Sequence, residues 1–160
     1  MKTSGRRSPI VTVKPDAIAT STLTIATPQR GFFDVTAEAK GFLREAEAES
    51  GALTLFVRHT SASLTIQENA DSSVRIDLAT ALDRLAPEDG GWSHDTEGPD
   101  DMPAHIRTML TSVSLQVPVL DARLALGTWQ AIYLIEHRRR PHRREIVLQV
   151  MGNQVTGNRR

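Results

Sequence analysis

Two-residue alternation of apolar and polar side chains occupies both ends of this chain, while helical spacing occupies only its middle. Ile10 to Lys14 and Thr20 to Thr27 alternate as half-buried strands do, with Pro15-Asp16 as the turn between them. Val35, Ala39, Phe42, Leu43 and Ala46 then recur as the stripe of a helix, capped by Asp34 or Thr36, running to about Glu49 and ended by Gly51. Ala52 to Arg58 and Leu64 to Glu68 return to strand patterning. Asp71 or Ser72 caps a second helix with Val74, Leu78, Leu82 and Leu85 on one face, stopped by Pro87. Asp100 or Asp101 caps a third, with Pro103 in its first turn and Met102, Ile106, Met109 and Leu110 as its apolar side. Strands at Ser114 to Val119, Arg123 to Leu126, Trp129 to Glu136 and Arg144 to Met151 complete the chain.

This order lacks the regular strand–helix alternation of a doubly wound parallel sheet, and short turns between neighbouring strands favour antiparallel pairing. The expected fold is α+β: a mostly antiparallel or mixed, sandwich-like β sheet with about three helices. A length of 160 residues fits one domain with a core of its own. Residues 1–9 read as a flexible N-terminal segment, 10–152 as the domain and 153–160 as a flexible tail.

Composition narrows the chemistry. With no cysteine, disulfides and thiolate metal sites are excluded. No apolar run is long enough to span a bilayer, and the N-terminal arginines precede no apolar stretch, so a cytoplasmic location without a membrane partner is expected. Lys+Arg and Asp+Glu both total 19, so the field that drives nucleic-acid binding is missing and such a partner is not expected. The charge is nevertheless uneven. Glu88 to Asp101 is acidic and His137 to Arg144 is basic, and each run alone reads as a solvated loop or turn.

The candidate chemical groups lie in the polar segments. His59 ends a strand, His94 sits in a long loop, and His105 borders the apolar side of a helix; neutral imidazole binds metals and can move protons. Their spacing forms no dense metal motif. Glu68 shares a strand face with Leu64 and Ile66, where burial would suit it to proton transfer; capping the next turn is the alternative. Asp71 reads as a cap before a catalyst. Glu97, Asp100 and Asp101 offer oxygen to a divalent cation or simply start a helix. Thr60 and Ser61, with Arg107, Arg143 or Arg144, could hold a phosphate. A triad of Ser61, His94 and Asp71 can be written, but no nucleophile-elbow sequence supports it.

The segments HTSASLTIQENAD at 59–71, WSHDTEGPDDMPAHI at 92–106 and LGTWQAIYLIEHR at 126–138 resemble those of the YjbQ-like (UPF0047) family of small bacterial and archaeal proteins, across about residues 10–152. Ala131 and Gln67 depart from the residues usual at their positions, without removing a candidate group. The resemblance implies a homotrimer with a pocket near a subunit boundary. It implies a divalent metal, Zn or Mg, held by His59, His94 and His105 with Asp101. It places Glu68, Asp71 and Glu97 as catalytic carboxylates. Thr60, Ser61, Arg107, Trp129, Gln130 and Arg144 would bind a small phosphorylated metabolite, and Glu136 would lie in the same pocket. The implied activity is a secondary thiamine phosphate synthase, a transferase coupling a hydroxymethylpyrimidine diphosphate to a thiazole phosphate. A metal-assisted phosphoester hydrolase and a non-enzymatic metal- or metabolite-binding trimer are the rival readings.

Overall fold

A computed structural model describes residues 5 and 7–155. The chain runs β1 (Ala17–Thr27), β2 (Gly31–Asp34), α1 (Thr36–Glu45), β3 (Ala48–Val57), β4 (Ala62–Glu68), α2 (Ser72–Leu85), α3 (Asp101–Leu110), β5 (Ser114–Leu120), β6 (Arg123–Leu124), β7 (Gln130–Glu136) and β8 (His142–Gln154). The strands form two sheets, of order β1-β8-β3-β5-β6 and β2-β7-β4. Every strand pair is antiparallel. The α+β expectation therefore holds, with three helices.

One apolar cluster joins the layers. Leu53, Leu55 and Val57 of β3 and Ile146, Leu148 and Val150 of β8 meet Leu64 of β4, Ile132 and Leu134 of β7, and Ala39, Phe42 and Leu43 of α1. In β3 and β8 these are alternate residues, so two-residue periodicity delivers them all to one side of the larger sheet. β7 differs: all of Ala131–Glu136 is buried, because this central strand is covered on both faces.

Several boundaries differ from the sequence pattern. Ile10 to Lys14 forms no strand; it is exposed and lacks a neighbouring strand within the chain, which alternation alone does not supply. β2 was missing from the pattern because it is only a four-residue edge strand, too short to show a period. α1 stops at Glu45 rather than Glu49, and Gly51 lies inside β3. There Gly51, at φ 152°, pairs with Gly152, and a Cβ on either would run into the backbone opposite. β8 reaches Gln154, so the ordered sheet runs past the expected domain limit at 152. Of the two tails, residues 1–4, 6 and 156–160 lie outside the described residues.

The helices keep their expected places but not always their expected faces. Asp71 caps α2 through its Oδ1, which accepts from the Ser73 N–H at 2.8 Å. Val74, Leu78 and Leu82 are only half-buried and Leu85 is exposed, so the apolar face of α2 is largely uncovered within one chain. The inner side of α3 consists of Asp101, Pro103, Ala104 and Arg107, while Met109 and Leu110 are exposed. Charged residues replace the apolar stripe there because each is met by an ionic partner from another segment, Arg138 for Asp101 and Asp83 for Arg107.

Candidate functional site

The two opposite charge runs meet. The loop after α2 and the start of α3 carry acids, and the turn after β7 carries bases. Arg138 ion-pairs with Asp101 and, at 3.3 Å, with Asp100, and its Nη2 donates to the Glu97 carbonyl at 2.8 Å. The Arg139 backbone N–H donates to Asp100 Oδ2 at 2.8 Å, and its guanidinium lies 2.8 Å from Glu88. Burial pushes the Asp100 carboxyl up, but the Arg139 N–H and the Arg138 charge hold it below the usual carboxylate range. The acidic loop is thus anchored by partners that spacing along the chain could not reveal.

Asp101 carries the consequence. Arg138 holds Oδ1, while Oδ2 lies 2.8 Å from His94 Nε2 and 3.6 Å from His105 Nε2. The imidazole centroids are 5.5 Å apart. One ligand atom from each of His94, Asp101 and His105 falls within 4.8 Å of the other two. His105 Nδ1 is 3.1 Å from the Thr60 carbonyl, which only accepts, so Nδ1 bears a proton, the arrangement in which Nε2, turned toward Asp101, is the nitrogen available to a metal. A backbone carbonyl fixing the tautomer of an imidazole is the usual support of a histidine ligand. Two imidazole nitrogens and a carboxylate oxygen can coordinate one divalent ion with positions left open. Helix geometry creates the pair: Asp101 and His105 are four apart on α3.

His59 is outside this group. Its Nε2 accepts from the Glu145 N–H at 2.9 Å, and burial, reinforced by the Arg144 charge, pushes its pKa down. Thr60 contributes its backbone carbonyl to the group, not its hydroxyl. Arg144 donates through Nε and Nη2 to the wholly buried Glu136, and through Nη2 to the Ser61 Oγ at 3.1 Å. Arg107 is buried, ion-pairs with Asp83 at 3.0 Å and donates to the Ala86 carbonyl. The Glu97 side chain is exposed, and only its carbonyl takes part.

The remaining expected residues lie elsewhere. Glu68 pairs with Gln130 at one end of the β4–β7 ladder, whereas Ala62 pairs with Glu136 at the other, about 20 Å away along the strand. Glu68, Asp71, Trp129 and Gln130 therefore belong to the end of the smaller sheet away from the Ser61 corner within one chain. Asp71 is engaged as the α2 cap, and Trp129 is exposed.

The sequence reading missed Arg138, although it lies in the third quoted segment. It also missed His137, which is buried with Nε2 2.8 Å from Ser63 Oγ. Burial first, and the Arg107 charge second, push the His137 pKa down to about 3. Its folded pKa lies below the ordinary histidine value near 6.5, so the stability it contributes is intact above pH 6.5 and lost as pH falls toward 3. Each pH unit in that window costs about 1.4 kcal/mol for a fully shifted group. Urea unfolding at pH 7 and pH 5 is expected to register this loss, and His137→Gln to flatten the slope; an equal slope in the variant would contradict the assignment.

The fold and the site together define a class: two antiparallel sheets and three helices that bring two histidines and an aspartate to the start of α3. The chain belongs to the UPF0047, YjbQ-like family, whose model matches residues 21–153. It is 49% identical to a UPF0047 protein of Synechocystis over 131 residues, 81% of this chain and 89% of that relative. It is 42% identical to the UPF0047 protein YjbQ of Escherichia coli O157:H7, over 82% of this chain and 96% of the relative. Among solved structures, an uncharacterized conserved protein of the family from Clostridium acetobutylicum superposes with a TM-score of 0.72 at 32% identity, covering 82% of this chain and 98% of that one. A hypothetical protein from Aeropyrum pernix superposes at 0.78 with 29% identity, over 84% and 99%. No helix among the described residues is long and apolar enough to cross a membrane.

Proposed function

We propose that His94, Asp101 and His105 hold one divalent metal ion, and that this centre acts on a small phosphorylated metabolite. The observation that carries the reading is the convergence of the three ligand atoms within 4.8 Å, with the tautomer of His105 set by the Thr60 carbonyl. Mixed nitrogen and oxygen donors favour zinc or another transition metal over magnesium, which prefers oxygen. Bound there, the metal would supply Lewis acidity toward a phosphoryl oxygen or a water. Arg138 keeps the Asp101 carboxylate oriented, and the Glu97 to Asp101 loop forms one wall.

Two reactions fit such a centre. The thiamine phosphate coupling implied by the family resemblance needs a cation on the diphosphate leaving group. Metal-assisted phosphoester hydrolysis needs a metal-activated water. The engagement of Arg144 with the buried Glu136 and of the buried Arg107 with Asp83 favours hydrolysis, since both guanidiniums are already paired with carboxylates of the same chain. The protein, stripped with chelator and reloaded with zinc or magnesium, should therefore turn over phosphomonoesters in the zinc form. It should yield less thiamine phosphate from the two coupling substrates. The reverse preference would restore the coupling reading, and zinc retention without turnover of either substrate set would leave a binding protein.

A homotrimer fits the surface of α2. Ile76 and Leu85 are each 64% exposed beside the half-buried Val74, Leu78 and Leu82, a stripe suited to cover by another copy. Light scattering should give three times the 17.6 kDa chain mass; a monomer would remove the subunit-boundary pocket.

A further inference from the structure

Six arginines among the described residues are paired with acids. Arg30, Arg58, Arg107, Arg138, Arg139 and Arg144 each face a carboxylate. Lys40, Arg44 and Arg123 have no ion-pair partner among the described residues, and all three line one recess of about 370 Å³. Lys40 and Arg44 are four apart on α1 and so project from one side of it. Arg123 opens β6, brought there by a tight turn in which Asp121 and Ala122 both have positive φ, 50° and 61°. The Ala122 N–H donates to the Glu49 carbonyl at 2.8 Å and pins this turn beside β3. The floor is apolar, formed by Leu43 and Leu124, both buried.

The recess continues into a second. Lys40 and Leu124 also line a polar depression of about 570 Å³ that reaches Asn69, Thr128 and Gln130. Together they make a trough with a cationic end, an aliphatic middle and an amide-bearing end, of a size common for small-molecule sites. Asp34 and Glu38 border the second depression, and the Asp34 carboxylate accepts from the Thr36 N–H at 2.8 Å. They disfavour an anion there and direct it to the Arg44–Arg123 end. This flanking also argues against a polyanion, which needs a continued basic stripe.

We propose that this trough binds a small molecule bearing a phosphoryl group. Lys40, Arg44 and Arg123 hold the phosphoryl oxygens, and the body of the ligand lies over Leu124 toward Gln130. Two guanidiniums and an ammonium without internal counter-ions match a multiply charged tetrahedral anion, to which guanidinium binds through paired N–H donors. The site is separate from the metal group. Arg123 lies at the Glu49 end of β3, and the His59 to Ser61 corner follows the other end, about 30 Å along the strand.

The test is an amide chemical-shift titration of the full chain with inorganic pyrophosphate, and in parallel with succinate and sodium chloride. Saturable shifts confined to the second half of α1 and residues 120–124 are expected for pyrophosphate, with weaker binding of succinate. Arg44→Ala with Arg123→Ala should raise the dissociation constant about a hundredfold, about one decade for each charged hydrogen-bonding partner lost. Both arginines are exposed, so folding and zinc uptake should be unchanged, which keeps this result apart from the fate of the metal centre. Arg123→Glu alone provides a second variant with the same expected direction. Shifts that follow ionic strength without saturating, tighter binding of succinate, or an unchanged dissociation constant in the variants would each overturn the proposal.

Discussion

Replacing Glu136 with glutamine is expected to cost about 3–5 kcal/mol of folding stability, the range for removing one partner of a buried ion pair. Glu136 ends β7 with no exposed surface. Its Oε2 accepts from Arg144 Nε at 2.7 Å and from Thr27 Oγ1 at 2.7 Å; its Oε1 accepts from Arg144 Nη2 at 2.6 Å and from the Arg138 N–H at 2.9 Å. Burial pushes the carboxyl up, but these hydrogen bonds outweigh burial and hold it below the usual range. Glutamine keeps the shape and removes the charge, leaving the Arg144 guanidinium buried without a counter-ion. Replacing both residues, Glu136→Met with Arg144→Met, should recover much of the loss, because a hydrophobic pair avoids the desolvation cost of two ions. Urea unfolding of the three variants checks this. A loss under about 1 kcal/mol in Glu136→Gln would mean that the pair is solvated and weak.

The same carboxylate ties stability to the candidate site. It receives the backbone N–H of Arg138, whose side chain holds Asp100, Asp101 and the Glu97 carbonyl. Loosening β7 at Glu136 therefore loosens the arginine that anchors the acidic loop. This explains why the interior face of α3 carries Asp101 and Arg107 instead of methionine and leucine. Hydrophobic spacing predicts which face an isolated amphipathic helix buries, but it cannot see a charge satisfied by a partner twenty or more residues away.

That limit separates what was legible in the sequence from what was not. The α+β class followed from the order of two periods, and the α2 start followed from Asp71, because both signals are local. Ile10 to Lys14 has the alternation of a strand without a strand beside it, and alternation reports only the first condition. The two charge runs were each visible, yet their pairing depends on loop closure between the α2–α3 connection and the β7–β8 turn. His94, Asp101 and His105 were all singled out because imidazole and carboxylate chemistry suits a metal. The grouping of His59 with them came from residue type and resemblance. In the structure the Glu145 N–H occupies its Nε2 instead. Gln130 was expected beside the phosphate-binding hydroxyls and lies about 20 Å from them, since register, not sequence order, sets which end of a ladder a residue occupies.

Asp101→Asn should lower zinc affinity by on the order of a hundredfold or more, since even residues that only orient a ligand cost 10–100-fold when changed. The asparagine conserves volume and the start of α3, but it removes the anionic oxygen 2.8 Å from His94 and 3.6 Å from His105. His94→Ala and His105→Ala should show losses of similar size, because three donors converge and no fourth among the described residues belongs to the group. His59→Ala should leave zinc affinity unchanged within about twofold, well inside the effect of losing a ligand. Calorimetry in two buffers of different ionisation enthalpy adds a readout that a loosened fold would not produce. His94 can coordinate only through a deprotonated Nε2, which now faces Asp101 Oδ2 at 2.8 Å, so the number of protons released with zinc is expected to differ between the wild type and His94→Ala. If His59→Ala weakened binding as much as His105→Ala while both stayed folded, the ligand set would include His59 and the centre would have to form differently from the one described. If all four variants bound zinc as the wild type does, His94, Asp101 and His105 would be a hydrogen-bonded anchor for the loop and nothing more.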